Sequence, residues 1–321
     1  MIKIRRYILR RILQMIPILI GVSVIIFVIF AAMPGDFIDS NLKITPERAQ
    51  ELRALYGLDQ PVLQRYLHWM KETFSGNLGY SLKYQEPVID LINKYIWNSF
   101  IVAFISSILT WTIALVIGVW TSLKHKGWQD SLVTIFVFVA MSFPSFFLGL
   151  LMIKFFSVDL NILPIGGMLD TASTTIGIAR ILEVGKHMIL PVTILTLLGV
   201  GGLTRYFRSG MLEVIKMDFV RTARAKGLKE KTVIFKHALR NAILPAITLL
   251  AFELPGLFSG AIIIEQIFNW PGIGHIYMEA LSLRDYPVLM TFTMLISFLT
   301  IIGSFLADIL YACADPRIRL K

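Results

Sequence analysis

The sequence predicts an all-α polytopic membrane protein with six transmembrane helices, and three observations carry that prediction. Of 321 residues, 56% are hydrophobic and only 16% are charged. The mean hydropathy of +0.70 lies far from the balance of a water-soluble domain. Six long apolar runs approach the roughly 20 residues that a helix needs to cross the hydrocarbon core.

In chain order, residues 1–11 (MIKIRRYILRR) form a basic leader, and residues 12–33 form the first span. Its apolar core exceeds the roughly 7 to 15 residues of a secretory signal, so an uncleaved anchor helix is expected. Residues 34–98 make an external region whose apolar and aromatic positions (Leu52, Tyr56, Leu63, Tyr66, Leu67, Trp69, Phe74) suit a small helical cap. The second span covers 100–123 and the third 131–156, with Lys154 near its end. The fourth covers 188–207, the fifth 242–264 and the sixth 288–311. A polar loop at 208–241, an external loop at 265–287 and a tail at 312–321 complete the chain.

Basic residues set the orientation. Lys3, Arg5, Arg6, Arg10 and Arg11 lie in the leader, Lys124 and Lys126 follow the second span, and Arg317, Arg319 and Lys321 lie in the tail. Between Arg205 and Arg240 there are ten basic residues against three acidic ones. With six spans all these segments share one side, so the positive-inside rule places both termini in the cytoplasm. The opposite side is close to neutral, with seven basic and eight acidic residues over 34–98. The net charge of +10 therefore describes a cytoplasmic face, and its division among membrane-tethered loops argues against a nucleic-acid partner and for contact with membrane lipid.

Several chemistries are missing. No G-x-x-x-x-G-K-[ST] phosphate loop occurs, and Gly185-Lys186-His187 lacks the upstream glycine and the hydroxyl residue that would make one. There is no H-E-x-x-H or G-x-S-x-G, the single Cys313 forms no intrachain disulfide, and His68, His125, His187, His237 and His275 are scattered. Neither a catalytic residue nor a metal ligand is expected. Among ionisable residues inside the spans, Glu253 stands out, mid-way along the fifth and two residues before Pro255. It is the candidate for a solute pathway or gate; an interhelical hydrogen bond that only holds the bundle together is the equal alternative. Lys154 and Asp308 lie near span ends, where snorkelling and interfacial packing suffice.

The polar loop contains RTARAKGLKEKT, from Arg221 to Thr232. Met211, Leu212, Ile215 and Phe219 recur at helical spacing, as do Val233, Ile234, Ala238 and Leu239. Gly227 stands between the two patterns, where a C-cap glycine or tight turn would reverse the chain. A helix, a turn and a helix would result, with small Ala223 and Ala225 permitting close approach of another surface amid Arg221, Arg224, Lys226, Lys229 and Lys231. A solvated basic loop kept for topology fits the composition equally well.

This segment resembles the cytoplasmic loop of ABC importer permeases, whose motif is E-A-A-x-x-x-G followed further on by I-x-L-P. Aligned on Gly227, the triplet falls on Arg221, Thr222 and Ala223, and the later positions on His237, Leu239 and Arg240; Ala223, Gly227 and Leu239 match the generic form. RTARAKGL with HALRNAILP closely resembles the version in the dipeptide and oligopeptide permease family, in its first (B-type) subunit. GLDQPVLQRYLHWM and GNLGYSL are similar to that family's external region, IFNWPGIG and RDYPVL to its stretch between spans five and six, and DILYACADPRIR to its C-terminus.

The resemblance implies the type I importer permease architecture, with a core permease domain over 99–311. It also implies a function: the permease pairs with a second, homologous permease to form the pathway, two cytoplasmic ATPase subunits that bind ATP and Mg drive it, and an external binding protein delivers peptide. The coupling helix would lie at Arg221, Thr222, Ala223, Arg224, Ala225, Lys226, Gly227 and Leu228, between spans four and five. The location implied is the bacterial inner membrane. Arg221 replaces the generic glutamate, Arg240 the generic proline, and Glu253 stands where relatives are expected to carry a neutral polar residue. Importers of nickel or other metal chelates, glutathione and opines share this permease family, and an intramembrane enzyme or a receptor is the remoter alternative.

Overall fold

The computed structural model describes residues 2–33 and 59–314, together with positions 35, 45, 47, 50 and 51. Much of the expected external region, with Leu52 and Tyr56, lies outside the described residues, as do the basic residues of the tail; of Lys3, Arg5, Arg6 and Cys313 only the backbone is described. The described residues are helical, apart from connecting loops, turns and an isolated antiparallel bridge between Tyr80 and Pro87.

Helix α1 (Ile2–Ala32) contains Pro17, which leaves the carbonyl one turn earlier without its usual donor. Among its described side chains, those buried in the core lie in the second half: Ile26, Phe27 and Phe30 are buried, whereas Ile16, Ile25, Val28 and Ile29 stay exposed, as lipid-facing side chains would. Helix α2 (Val62–Phe74) starts directly after Pro61 and lies on α1. Tyr66 and Trp69 meet the Phe27 ring at centroid distances of 5.4 and 5.8 Å, and the hydroxyls of Ser23 and Tyr66 lie 2.9 Å apart. The expected helical cap is thus present over its described part.

Helix α3 (Val88–Leu123) packs along α6 (Gly177–Val214), and small residues let the two backbones approach. The hydroxyl of Thr196 reaches the Ser106 carbonyl, Gly199 sits on Thr110, and Ala114 packs against Phe207. A Cβ at Gly118 would come within 2.7 Å of the Phe207 Cβ and 2.9 Å of the Thr204 carbonyl. Close approach through small residues substitutes for a hydrophobic driving force that apolar surroundings do not supply. Both helices begin about ten residues before the expected second and fourth spans. Hydropathy marks where a helix can sit in hydrocarbon, whereas the hydrogen-bonded helix continues into more polar surroundings.

The third expected span is broken. Helices α4 (Trp128–Ser142) and α5 (Ser145–Met152), the latter continuing through a π-helical turn at Ile153–Asp159, meet at 96°. Pro144 lacks the N–H needed to continue the ladder and drives Phe143 to extended backbone (ψ 134°). Among the described residues, five helices are long and apolar enough to cross a membrane, six if this bent pair forms one span. Lys154 pairs with Asp159 within the same turn.

After α6 come the short α7 (Asp218–Ala225) and a helical stretch made of Glu230–Thr232, the π-helical Val233–Ala238, and Leu239–Ala242. The pattern read as a separate helix around Met211 belongs instead to the end of α6, so one long helix delivers the chain to α7. The fifth expected span is α8 (Leu244–Phe252), α9 (Leu254–Ser259) and α10 (Ile262–Ile267), interrupted at Glu253 and at Gly260, whose φ is +72°. Helices α11 (Ile273–Leu283) and α12 (Tyr286–Ala314) complete the bundle.

Two clusters anchor opposite ends. At the α2 end, Phe27, Leu91, Ile276 and Leu289 bring α1, α3, α11 and α12 together. At the α7 end, Val119, Met211, Val220, Val233 and Ala242 join α3, α6, α7 and the 230–242 stretch. Charged pairs brace the α7 end: Arg208 donates from Nε and Nη2 to the two oxygens of the buried Asp130, each at 2.7 Å, and Arg11 pairs with Asp308.

Candidate functional site

Helix α7 is short and polar, and its register is set by two inward residues. Val220 (0% exposed) and Ala223 (5%) pack against the α7-end cluster. Asp218 opens the helix and Arg224 closes it, an order that complements the helix dipole. The Thr222 hydroxyl donates to the Asp218 carbonyl at 2.9 Å.

The C-terminus of α7 is a Schellman turn. Gly227, at φ +74°, occupies the left-handed position; its N–H donates to the Arg224 carbonyl at 2.9 Å, and the Leu228 N–H points to the Ala223 carbonyl at 3.4 Å. Only glycine adopts this conformation without a steric penalty. Arg224 then reaches across the turn and donates to both carboxylate oxygens of Glu230 (2.7 and 3.2 Å). The turn therefore fixes the angle between α7 and the 230–242 stretch.

The exposed face differs from the expected one at a single position. Ala223, expected to permit approach of another surface, lies inside this chain, because the face that carries Val220 also carries the residue three positions on. Arg221, Thr222, Arg224, Ala225, Lys226, Gly227 and Leu228 remain outside. They are joined by Met217 (41% exposed), which sequence reasoning did not single out, and by Phe219 (39%), which it placed on the apolar face of a helix and which the structure leaves outside. Together with Leu228 (41%) they give the basic end an apolar component. A sequence signal existed: Met217 and Phe219 flank the acidic residue that opens α7.

Glu253 sits between α8 and α9 and is tied to α3. The Ser107 hydroxyl donates to Oε2 at 2.6 Å and the Trp111 indole N–H to Oε1 at 2.7 Å. The residue is half-buried, and its two hydrogen bonds tie the break between α8 and α9 to α3. Its two donors are one helical turn apart, a pair that sequence reasoning did not connect with it.

A second, fully buried carboxylate organises the α2 end. Glu265 (2% exposed) accepts from the Ser99 hydroxyl at 2.7 Å and from the backbone N–H groups of Ala261 and His275, each at 3.1 Å. The chain wraps round it at glycines: a Cβ at Gly272 would overlap Glu265 Oε2 and Ser99 Oγ, and one at Gly274 would lie 2.8 Å from the same Oε2. This is the physical content of the IFNWPGIG stretch. Beside it lies a cavity of about 360 Å³ lined by Tyr84, Tyr95, Gly167, Met168, Asn269, Pro271, His275, Ile276 and Glu279. Glu279 receives Lys83 at 2.5 Å and the Tyr84 hydroxyl. Burial raises the affinity of its carboxylate for a proton, but these two donors outweigh it and hold the group below its ordinary range. The Tyr84 hydroxyl is pushed up, first by burial and then by Glu279, so it stays a donor.

Comparison with known proteins places these features in a family. Residues 114–320 match the family described as "Binding-protein-dependent transport system inner membrane component", and residues 4–103 match its N-terminal membrane component. The chain is 39% identical over 315 residues to the oligopeptide transport system permease protein AppB of Bacillus subtilis, covering 97% of this chain and 98% of that one. It is 34% identical over 344 residues to the dipeptide transport system permease protein DppB of Escherichia coli K12 (98% and 99% covered). It is 33% identical over 319 residues to the glutathione transport system permease protein GsiC of Salmonella typhimurium (98% and 99%). A solved structure of the MetNI methionine ABC transporter in inward-facing conformations shares the fold, with a TM-score of 0.54 and 17% identity, covering 71% of this chain and 97% of that chain.

Proposed function

Since this chain belongs to the family of binding-protein-dependent transport system inner membrane components, we propose that it is the B-type permease subunit of an ATP-driven importer of short peptides. The observation that carries the proposal is near-full-length similarity to oligopeptide and dipeptide permeases; an α7 that exposes Met217, Phe219 and Leu228 beside its basic residues supports it. Glutathione, itself a small peptide, is the second reading, favoured by the similarity to GsiC. The pathway is formed with a second, homologous permease, and an external protein delivers the substrate. Two cytoplasmic ATPases bind ATP and Mg.

In this arrangement α7 is the coupling helix, the leader, α7 and the tail face the cytoplasm, and α2 and α11 face outward. The distribution of Lys124, Lys126 and the ten basic residues between Arg205 and Arg240 supports that orientation. Closure of the ATPase pair displaces α7, and its packing through Val220 and Ala223 on the end of α6 passes the displacement into the longest helix of the bundle. Helix α6 carries α3 with it through the small-residue contacts at Thr110 and Gly118, which are too tight to slide independently. Bound peptide biases the inward-open and outward-open states only by its difference in affinity for the two.

Glu253 links the same α3 to the break between α8 and α9, which places a carboxylate where relative movement of these helices is needed. In cells whose other peptide importers are deleted, Glu253→Gln should preserve membrane insertion and alter uptake of labelled peptides in a charge-dependent way, with cationic peptides losing most, by roughly the 2- to 10-fold that one hydrogen bond or nearby charge is worth. Removing the chain should abolish uptake of acidic, neutral and cationic peptides alike. Uptake that survives its removal would refute the peptide assignment, and a Glu253→Gln profile identical to wild type would leave Glu253 as a tie between helices only.

A further inference from the structure

We propose that Asp170, Glu183 and His187 form a site for a divalent transition-metal cation at the α2 end of the bundle. This goes beyond the transport reading and does not depend on it. The three residues are distant from the coupling helix and from Glu253, and sequence spacing alone does not join them, because Asp170 comes from the loop before α6 while Glu183 and His187 lie one turn apart on α6 itself.

The structure brings one ligand atom from each within 4.8 Å of the others. His187 is the key to the argument. Its side chain is 2% exposed, and its Nδ1 faces the carbonyl oxygens of Gly166 and Gly167 at 3.1 and 3.2 Å. Carbonyls only accept, so Nδ1 carries the proton donated to them, and in the neutral ring Nε2 is the nitrogen that presents a lone pair. Nε2 makes no hydrogen bond; it lies 3.5 Å from Asp170 Oδ1. That separation is long for a hydrogen bond and close to the ~3.3 Å edge of a tetrahedron whose ligands sit ~2.0–2.1 Å from a central ion. A ring whose second nitrogen is fixed by backbone carbonyls is the usual state of a metal-binding histidine.

The carboxylates are held in place independently of any ion. Glu183 accepts from the Asp170 N–H at 2.9 Å, from Ser173 Oγ at 2.6 Å and from Thr175 Oγ1 at 2.5 Å, so the loop is folded down on α6 and Asp170 is pinned beside His187. The loop is also fastened on its other side, where the Gly167 N–H donates to the Phe268 carbonyl at 2.7 Å. Two carboxylates and one neutral imidazole balance the charge of a dication. One nitrogen and two oxygen ligands favour zinc, cobalt or nickel over calcium and magnesium, which prefer all-oxygen shells. Asp170 is 75% exposed, which leaves room for water to complete four-coordination. The competing arrangement is a protonated His187 lying between two carboxylates, with no ion.

The test uses the full chain, captured through a tag without histidine, held in mild detergent, stripped with a chelator and dialysed. It is then equilibrated with a series of buffered free zinc concentrations, and bound metal is counted by elemental analysis. The expected result is a plateau near one zinc per chain, with affinity reduced at least about tenfold in Asp170→Ala and in Glu183→Gln, and binding abolished in His187→Asn. Asp170 is exposed, so its variant decides the matter even where His187→Asn fails to fold. Absence of bound zinc in the wild type, or retention with unchanged affinity in both Asp170→Ala and Glu183→Gln, would overturn the site and establish the ion-free arrangement.

Discussion

Gly227→Pro should uncouple ATP hydrolysis from uptake, lowering transport by more than about tenfold while the chain still inserts and folds. Proline fixes φ near −65°, whereas this position requires +74°, and it removes the N–H that closes the Schellman turn on Arg224. A conflict of roughly 3 kcal/mol is relieved by opening the turn, since nothing lies within 4 Å of the Gly227 Cβ direction to resist the movement. The angle between α7 and the 230–242 stretch is then lost, and the proposed docking of α7 on an ATPase would lose its register. Gly227→Ala is the matched control: it meets only the ~1–2 kcal/mol cost of a left-handed non-glycine residue and should keep most of the coupling. The measurement is peptide uptake per ATP hydrolysed in reconstituted vesicles. Equal ratios for wild type and Gly227→Pro would separate the turn from coupling. Ala223→Arg is unsuited to this purpose, because Ala223 is inside the chain and the variant would damage the α7-end core before it tested any docking.

Glu265→Ala should have the largest effect on stability. It leaves the Ser99 hydroxyl and the N–H groups of Ala261 and His275 buried without an acceptor, along with a void where the carboxylate stood. Each orphaned donor costs about 1–3 kcal/mol, so the total is on the order of 3–5 kcal/mol or more. The 260–275 stretch, whose glycines are dictated by the carboxylate, has no alternative core to close on. Thermal unfolding of the purified chain in detergent should therefore move down by about 10 °C or more, with a matching fall in membrane yield. Glu265→Gln should fall between, as its amide turns one donor toward other donors. A midpoint within about 2 °C of wild type for Glu265→Ala would mean that the hydrogen bonds around this carboxylate contribute little.

The sequence made the membrane class, the order of the spans and the turn at Gly227 legible, because each rests on a local property: run length, charge asymmetry, and the one residue type that accepts positive φ. The break at Pro144 was not legible from hydropathy, since residues on both sides are equally apolar and proline is tolerated within many membrane helices. Ala223 shows a different limit. An alanine near a basic surface fits a partner or its own core, and only the register of α7 decides. Glu265 was overlooked in favour of Glu253 because a mid-span acid draws attention, whereas Glu265 lies at the edge of an apolar run and becomes buried only when the IFNWPGIG stretch folds over it. Asp170, Glu183 and His187 converge through a loop closure that no local pattern encodes.

The proposed coupling role requires the exposed face of α7 to dock on an ATPase. The most direct measurement is site-directed crosslinking in membranes, with a cysteine introduced by Leu228→Cys in a Cys313→Ser background, followed by purification through the permease and identification of the attached protein. The expected result is attachment to an ATPase subunit from Leu228→Cys, none from the same substitution at exposed Ile178 at the opposite end of α6, and recovery of a second permease in both preparations. Recovery of the chain alone, or equal attachment from both positions, would contradict it.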